Sequence, residues 1–276
     1  VDIAIARTDP GFVTGQPVEE IRQLYVDAMQ AAKHTLYLEN QYFSSSVLGA
    51  TLDARLRERE WAEKELEIGR SIQERLLPPA RLEGDGYALA ARNIPARIVA
   101  GDFYDFVRIE DGSIAIVVAD VAGKGVAASL IMASVKAVLP FIARNDVAAV
   151  MAQLNEKLAL ELGRREFVAF TYARFSAADG RLELANAGLP DPYLLRKGKV
   201  APLEVPGNRL PLGLRSGGMY ETLAVELARG DRVVFISDGI PEAETAAGEP
   251  LGYDRVHELV AATAAGTASA WLDQFI

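Results

Sequence analysis

The spacing of apolar and polar positions changes character along the chain. Within residues 1–51, apolar positions follow strand spacing at residues 1–6, helical spacing at Val18–Met29 and strand spacing again at His34–Phe43. From Leu52 to Leu77, charged residues surround a thin apolar stripe, and Pro78 and Pro79 then end the pattern. The spacing predicts a small α/β N-terminal segment over 1–51 and one long, exposed linker helix over 52–79.

From residue 80 onward, strand and helix patterns are mixed. Short turns such as Glu110–Gly112 and Ala178–Gly180 separate several strand-like runs, which is typical of antiparallel hairpins. The predicted strands are Tyr87–Asn93, Ile98–Ile109, Ser113–Ala119, Phe167–Phe175, Arg181–Asn186, Pro192–Arg196, Tyr220–Glu226 and Asp231–Ile236, and the predicted helices are Val126–Ala143, Val147–Leu162 and one from Tyr253 onward. We therefore expect an α+β domain over residues 80–276, with antiparallel sheets covered by helices.

The apolar stripe of the predicted linker helix forms only a broken heptad. Its members are Leu52, Leu56, Trp61, Leu66, Ile68, Ile72, Leu76 and Leu77. Two interpretations stay open: a coiled coil that joins two copies of the chain, and a solvated connector helix. On the first interpretation the chain is a homodimer, with the contact made by Leu66, Ile68, Ile72 and Leu76.

Composition narrows the possible functions. The chain has no cysteine, which excludes disulfides, thiolate nucleophiles and sulfur-ligated zinc, and it has only two histidines, His34 and His257. A net charge of −9 disfavours binding to nucleic acid, because phosphate contacts need a basic surface. No apolar run approaches the roughly 20 residues of a membrane span, and the N-terminus lacks a signal-peptide pattern. We expect a cytoplasmic protein without a membrane span.

Three aspartates, Asp102, Asp120 and Asp238, each lie where an apolar, strand-like run meets glycine. If buried strands deliver these side chains to one rim of a sheet, they form a carboxylate-lined site. Mg²⁺ and Mn²⁺ prefer oxygen ligands of this kind and retain several waters. The pattern therefore predicts a metal site, although Asp238–Gly239 taken alone is also a common turn sequence.

A phosphate-binding P-loop is a competing interpretation of Gly123–Lys124, which precedes a predicted helix. The spacing does not fit, because Val118 occupies the position of the first glycine and Gly125 that of the serine or threonine after the lysine. Lys124 is then either a solvated loop residue or a contact to a substrate phosphate.

Five short motifs occur in a recognisable order. They are Gly101–Asp105 (GDFYD), Ala119–Gly125 (ADVAGKG), Asn186–Gly188 (NAG), Pro211–Leu214 (PLGL) and Ser237–Ala243 (SDGIPEA). As an ordered set, the motifs resemble the SpoIIE type of the metal-dependent PPM serine/threonine phosphatases, over roughly residues 66–276. The resemblance implies a PPM-like antiparallel β-sandwich flanked by helices, and the helix before Pro78 resembles a segment that often dimerises such domains.

The resemblance also implies a mechanism and a site. Asp102 and Asp120 would bridge two Mn²⁺ or Mg²⁺ ions, with the Val121 carbonyl and Asp238 as further ligands, and a hydroxide held by the ions would attack the phosphorus atom. Asp105 is either a support behind these ligands or a solvated strand residue. The implied substrate is a phosphoprotein in bacterial signalling, such as an anti-sigma factor antagonist. The alternative is a catalytically silent, dimeric module that only binds a phosphoprotein.

The sequence also departs from that family pattern. Leu189 stands where histidine commonly follows the Asn-Ala-Gly motif. The family commonly has a C-terminal strand with a further metal-binding aspartate, and we expect Asp273 not to be that ligand, since no strand-like run follows it in this sequence. Residues 1–51 resemble a fragment of a phospholipase D domain. Because the His-x-Lys signature of that enzyme is absent, we expect this segment to be non-catalytic.

Overall fold

The computed structural model describes residues 8–9, 18–32, 46–95, 98–246, 248–262 and 266–275. The chain divides into two compact units, Val1–Ile68 and Gly69–Ile276. The first unit contains β1 (Thr8–Asp9) and β2 (Val18–Glu19), which pair antiparallel, and α1 (Glu20–Ala31). The strands expected at residues 1–6 and His34–Phe43 lie outside the described residues.

The long helix predicted over 52–79 is present as α2 (Ser46–Leu76). It begins earlier than the charge pattern indicated and ends shortly before Pro78. Ion pairs between residues four apart run along its surface, as in Arg59–Glu63 at 2.9 Å and Arg70–Glu74 at 2.8 Å. Each such pair stabilises an exposed helix by only about 0.2–0.5 kcal/mol, so the pairs together make a modest contribution to the stability of α2.

The remaining elements belong to the second unit. They are β3 (Arg81–Gly84), β4 (Tyr87–Ala90), β5 (Phe103–Arg108), β6 (Ile114–Val121), α3 (Val126–Ile142), α4 (Val147–Glu161), β7 (Val168–Ser176), β8 (Arg181–Ala187), β9 (Tyr193–Arg196), β10 (Lys199–Pro202), β11 (Leu223–Glu226), β12 (Arg232–Val234), α5 (Gly252–Ala262) and α6 (Ala268–Phe275). Within the described residues, no helix has the length and apolarity needed to cross a membrane.

The strands form antiparallel sheets, as predicted. One sheet has five strands in the order β11-β8-β7-β6-β5, a second has three in the order β10-β9-β12, and β3 pairs with β4 as a separate hairpin. Four predicted strands are too long by three residues or more. Residues 91–93 lie beyond the end of β4, residues 98–102 are irregular ahead of β5, residues 220–222 are irregular ahead of β11, and β12 spans only Arg232–Val234. The strands β3 and β10 were not predicted, because each has only four, mostly exposed residues and gives too short a pattern to recognise.

Three apolar clusters hold the second unit together. The largest lies between the five-stranded sheet and α3 and α4, with Met132, Leu154 and Phe170 completely buried. The second, which includes Ile114, Ile116 and Leu184, lies between the two sheets, and the third joins the three-stranded sheet to α5 and α6. This order of layers confirms the predicted sandwich of antiparallel sheets flanked by helices.

Alternation along β5 and β6 determines which side chains face the second sheet. Phe103 and Val107 pack in the helix-side cluster, whereas Ile114 and Ile116 pack in the cluster between the sheets. Because successive side chains of a strand point to opposite faces, Asp120 shares the face of Ile114 and Ile116. Its carboxyl group therefore lies on the side of the sheet that faces the second sheet.

Candidate metal centre

Asp120 lies near the end of β6, and Asp102 lies directly ahead of β5. Phe103 pairs with Ala119 across the two antiparallel strands, so the same register continued by one residue places Asp102 opposite Asp120. The expectation that Asp102 ends a strand is wrong, because the apolar run before it is irregular. The two carboxylates nevertheless meet at one edge of the five-stranded sheet.

Asp238 reaches the site from the other sheet. It follows β12 in a turn, where its own carbonyl accepts a hydrogen bond from the Glu242 amide at 3.0 Å. The sequence predicted that all three aspartates share one rim of one sheet. That prediction is wrong, because Asp238 comes from the second sheet. The three aspartates meet because the two sheets of the sandwich face each other at this end.

Asp102 and Asp238 both lie near enough to Asp120 to act on its carboxyl group. Burial raises the pKa of Asp120 to about 8, and the charges and hydrogen-bonding contacts of Asp102 and Asp238 act in the same direction. Carboxylates placed this near each other repel when all are ionised. A bound cation would remove that repulsion.

The carbonyl of Val121, which follows Asp120, lies against the backbone just before Asp102. A Cβ built on Gly101 would lie 2.8 Å from the carbonyl oxygen of Val121, a distance that real Cβ atoms essentially never show. Only glycine therefore fits beside this carbonyl, one residue before Asp102. Gly123, with a φ of 106°, then turns the chain away from β6 toward α3.

This donor set suits Mg²⁺ or Mn²⁺, because it offers carboxylate and carbonyl oxygens without sulfur. Among the described residues, no three aspartate, glutamate or histidine side chains are arranged to hold one ion together. The set therefore fits ions that each take few protein ligands and complete their shells with water, as Mg²⁺ commonly does. It does not fit a single ion enclosed by three carboxylates.

Asp105 lies on the opposite face of β5 from this site. Its carboxylate forms an ion pair of 2.5 Å with Lys136 of α3, and the two residues are only 5% and 9% exposed. The alternative of a solvated strand aspartate is therefore wrong. Any support that Asp105 gives the site acts through β5 and α3 rather than by direct contact.

Two amide side chains that the sequence did not single out fix the backbone around Asp102. The buried Gln73 amide of α2 donates to the Ala100 carbonyl at 2.6 Å and accepts from the Ala100 amide at 3.0 Å. The Asn93 amide donates to the carbonyl of Asp102 at 2.9 Å. Gln73 lies in a helix rich in polar residues, so its inward position could not be recognised without the fold.

The departures from the family pattern have clear places in the structure. Leu189 is buried, and two hydrogen bonds hold its backbone. The Asn186 side chain donates to the Leu189 carbonyl at 2.8 Å and accepts from the Leu189 amide at 3.0 Å.

Asp273 forms ion pairs with Arg92 and with Arg81, and the distance to Arg81 is 3.8 Å. His257 packs against the ring of Tyr193. These contacts account for Asp273 and His257 without a role in the site.

A cleft of about 1850 Å³ opens beside the three aspartates and also contacts Lys124. Lys124 is exposed in the loop between β6 and α3. Over the part of the chain that the structure describes, no carboxylate pairs with its ammonium group. Its charge is therefore available to a ligand in the cleft.

Known proteins resemble this chain in sequence and in fold. The phosphoserine phosphatase RsbU of Bacillus subtilis is 27% identical over 183 residues, which cover 66% of this chain and 54% of RsbU. The chain thus spans about half the length of that relative. The likeness to a phosphatase gives no support to the phospholipase D resemblance of residues 1–51.

Two solved structures show the same fold at low sequence identity. The SiaA-PP2C domain of Pseudomonas aeruginosa superposes with a TM-score of 0.65 at 21% identity, covering 79% of this chain and 89% of that domain. RsbX in complex with magnesium gives a TM-score of 0.51 at 15% identity, covering 67% of this chain and 82% of RsbX. The second unit therefore has a PP2C phosphatase fold. Because the model of the family described as stage II sporulation protein E (SpoIIE) matches residues 110–276, the chain belongs to the SpoIIE family.

Proposed function

We propose that this protein is a divalent-metal-dependent phosphatase that removes phosphate from serine or threonine of a partner protein in bacterial signalling. The observation that carries the proposal is the convergence of Asp102 and Asp238 on Asp120 from two facing sheets. Membership of the SpoIIE family and the likeness to RsbU support it.

Within this proposal, Asp102, Asp120, Asp238 and the carbonyl of Val121 would together hold two Mn²⁺ or Mg²⁺ ions. When bound, such ions lower the pKa of a coordinated water and neutralise charge on the phosphoryl group. The chain itself provides the carboxylates that hold the ions and the cleft that admits a phosphorylated side chain. Of the described residues, His257 is the one histidine, and it packs against Tyr193 rather than at the site, so within this proposal a water molecule at the site would protonate the departing oxygen.

The direct test is hydrolysis of p-nitrophenyl phosphate and of a phosphoserine peptide, each with and without Mn²⁺. If the protein is the proposed phosphatase, it hydrolyses both compounds when Mn²⁺ is present and neither compound without it. The alternative function, a silent phosphoprotein-binding module, predicts that the phosphopeptide binds without turnover at any Mn²⁺ concentration. Calorimetry with the same peptide separates the two outcomes.

Lys124 is proposed to contact the substrate phosphate. We expect Lys124→Ala to raise KM for p-nitrophenyl phosphate by about tenfold, since a lost charge-assisted hydrogen bond is worth roughly 1.5 kcal/mol. The kcat value should fall much less. Lys199→Ala, which removes an exposed cation of β10, is the matched control and should leave KM unchanged. Equal KM values for Lys124→Ala and the unmodified protein would leave Lys124 as a solvated loop residue.

The proposed substrate class is an anti-sigma factor antagonist phosphorylated on serine. The likeness to RsbU supports this, as does a match to the RsbU and RsbW domains of a Mycobacterium tuberculosis protein. Phosphate-affinity electrophoresis of a phosphorylated antagonist, incubated with the protein and Mn²⁺, would show its loss of phosphate. A phosphorylated protein of unrelated fold serves as the control.

We also propose that α2 joins two copies of the chain. Large apolar side chains are exposed along it, among them Trp61 at 70%, Ile72 at 48% and Leu76 at 41%. Burying one such side chain stabilises an interface by about 1.5–3 kcal/mol. Ile72→Glu is therefore expected to give monomers in sedimentation at micromolar concentration, whereas Glu67→Lys, a charge reversal at an exposed position of α2, should not. A monomeric unmodified protein would show that α2 is a solvated connector.

The proposal also assigns a role to each part of the chain. We propose that the residues ahead of α2 are a non-catalytic appendage, that α2 (Ser46–Leu76) is the linker helix and that residues 80–276 are the phosphatase domain. The appendage has no His-x-Lys signature, so it has no group for phospholipase chemistry.

A further inference from the structure

The carboxylate of Asp102 has a partner on the opposite sheet. The Ser237 hydroxyl donates a hydrogen bond to Asp102 Oδ2 at 2.8 Å. Ser237 follows β12 of the three-stranded sheet, whereas Asp102 leads into β5 of the five-stranded sheet. This single contact therefore crosses the sandwich at the point where the three aspartates meet.

The hydrogen bond restricts an otherwise rotatable group. The backbone on either side of the Asp102 side chain is already fixed, because Asn93 holds the Asp102 carbonyl and Gln73 holds Ala100. What remains free is rotation of the carboxylate about its own bonds. An ionised carboxylate accepts at two oxygens, so a hydroxyl bonded to Oδ2 selects one orientation and directs the other oxygen elsewhere.

Ser237 does not need to be a metal ligand to matter for metal binding. Side chains that hydrogen-bond a ligating carboxylate orient it, and their removal typically weakens metal affinity by about 10–100-fold. Ser237 is also the residue directly before Asp238, so one short segment supplies a ligand and orients another. A displacement of this segment would affect both carboxylates at once.

We infer that Ser237 is a positioning residue that holds the Asp102 carboxylate in the orientation required to bind a divalent cation. The inference rests on the proposed function of the site and adds to it the residue that prepares one ligand before metal arrives. It also gives a reason for a hydroxyl-bearing residue at position 237.

The test is calorimetric titration of the full chain with Mn²⁺. Ser237→Ala should bind Mn²⁺ at least about tenfold more weakly than the unmodified protein. Ser237→Thr keeps the hydroxyl and should recover most of that loss. Ser129→Ala is the matched control, because the Ser129 hydroxyl bonds within α3 to the Val126 carbonyl. Melting curves of each metal-free variant show whether it is folded.

The outcomes separate this inference from the proposed function. If the unmodified protein binds Mn²⁺ and folded Ser237→Ala binds it equally well, Ser237 does not position Asp102. If Ser237→Ala is unfolded, Ser237→Thr decides: affinity like that of the unmodified protein supports the inference, and about tenfold weaker binding opposes it. A folded, unmodified protein that takes up no Mn²⁺ overturns the proposed function, and the inference with it.

Discussion

Asp120→Asn is expected to reduce Mn²⁺-dependent phosphatase turnover by about 10³-fold or more, while making the metal-free protein more stable. The loss follows because a metal site contributes several kcal/mol to the transition state, and about 1.4 kcal/mol corresponds to a factor of ten in rate. The gain follows because the substitution removes the charge whose burial and neighbours raise the pKa of Asp120. Turnover and thermal melting of the same preparation measure both effects.

The stability difference should depend on pH with a definite sign. A carboxyl group whose folded pKa is raised stabilises the fold below its unfolded pKa, near 3.8, and loses that contribution as pH rises through about 8. Metal-free Asp120→Asn should therefore melt higher than the unmodified protein at pH 8, by about 2–4 °C for each kcal/mol gained, with little difference near pH 4. Asp85→Asn, at an exposed position in the β3–β4 turn, is the control and should change neither property. Turnover of Asp120→Asn close to that of the unmodified protein at saturating Mn²⁺ would exclude Asp120 as a shared ligand.

Lys136→Met is expected to destabilise the protein by about 3–5 kcal/mol, since it leaves the buried Asp105 carboxylate without its partner. Methionine resembles lysine in length and flexibility, so the loss reports the missing charge rather than a cavity. Urea unfolding followed by circular dichroism measures the change in free energy. No comparable loss should follow from Arg255→Met, because the Arg255–Glu258 pair of α5 is exposed.

A double variant distinguishes the ion pair from other roles of Lys136. Asp105→Leu combined with Lys136→Met replaces both charges with apolar groups, and such replacements of buried pairs are often neutral or stabilising. We expect the double variant to recover most of the stability lost in Lys136→Met. If the single variant costs less than about 1 kcal/mol, the ion pair does not hold β5 to α3.

The sequence was sufficient to predict the type of fold and that Asp102, Asp120 and Asp238 lie near one another. Short turns between alternating runs indicated antiparallel sheets, and the layers of the second unit confirm them. Asp102, Asp120 and Asp238 were each recognisable because a charge at the end of an apolar run is costly to bury unless it is paired, hydrogen-bonded or bound to a metal. Each of these signals involves neighbouring residues only, so it can be recognised in the amino-acid sequence without knowledge of the fold.

The features that the sequence could not supply are those created by contacts between distant segments. In the sequence, Lys136 is an isolated charge in an apolar helix. Its pairing with Asp105 becomes visible only in the fold, where β5 packs against α3. Gln73 was one polar residue among many in α2, and its two bonds to Ala100 depend on where the chain before β5 passes. The irregular backbone at residues 98–102 has strand-like composition, but tertiary contacts override that preference.

The hydrogen bond between Ser237 and Asp102 joins residues 135 positions apart in the chain. Closing so long a loop carries an entropic cost, and structures dominated by such distant contacts fold slowly. The acidic centre consequently exists only in molecules in which both sheets have docked. Any cation that binds there selects fully assembled molecules over partly folded ones, and so increases their population by mass action.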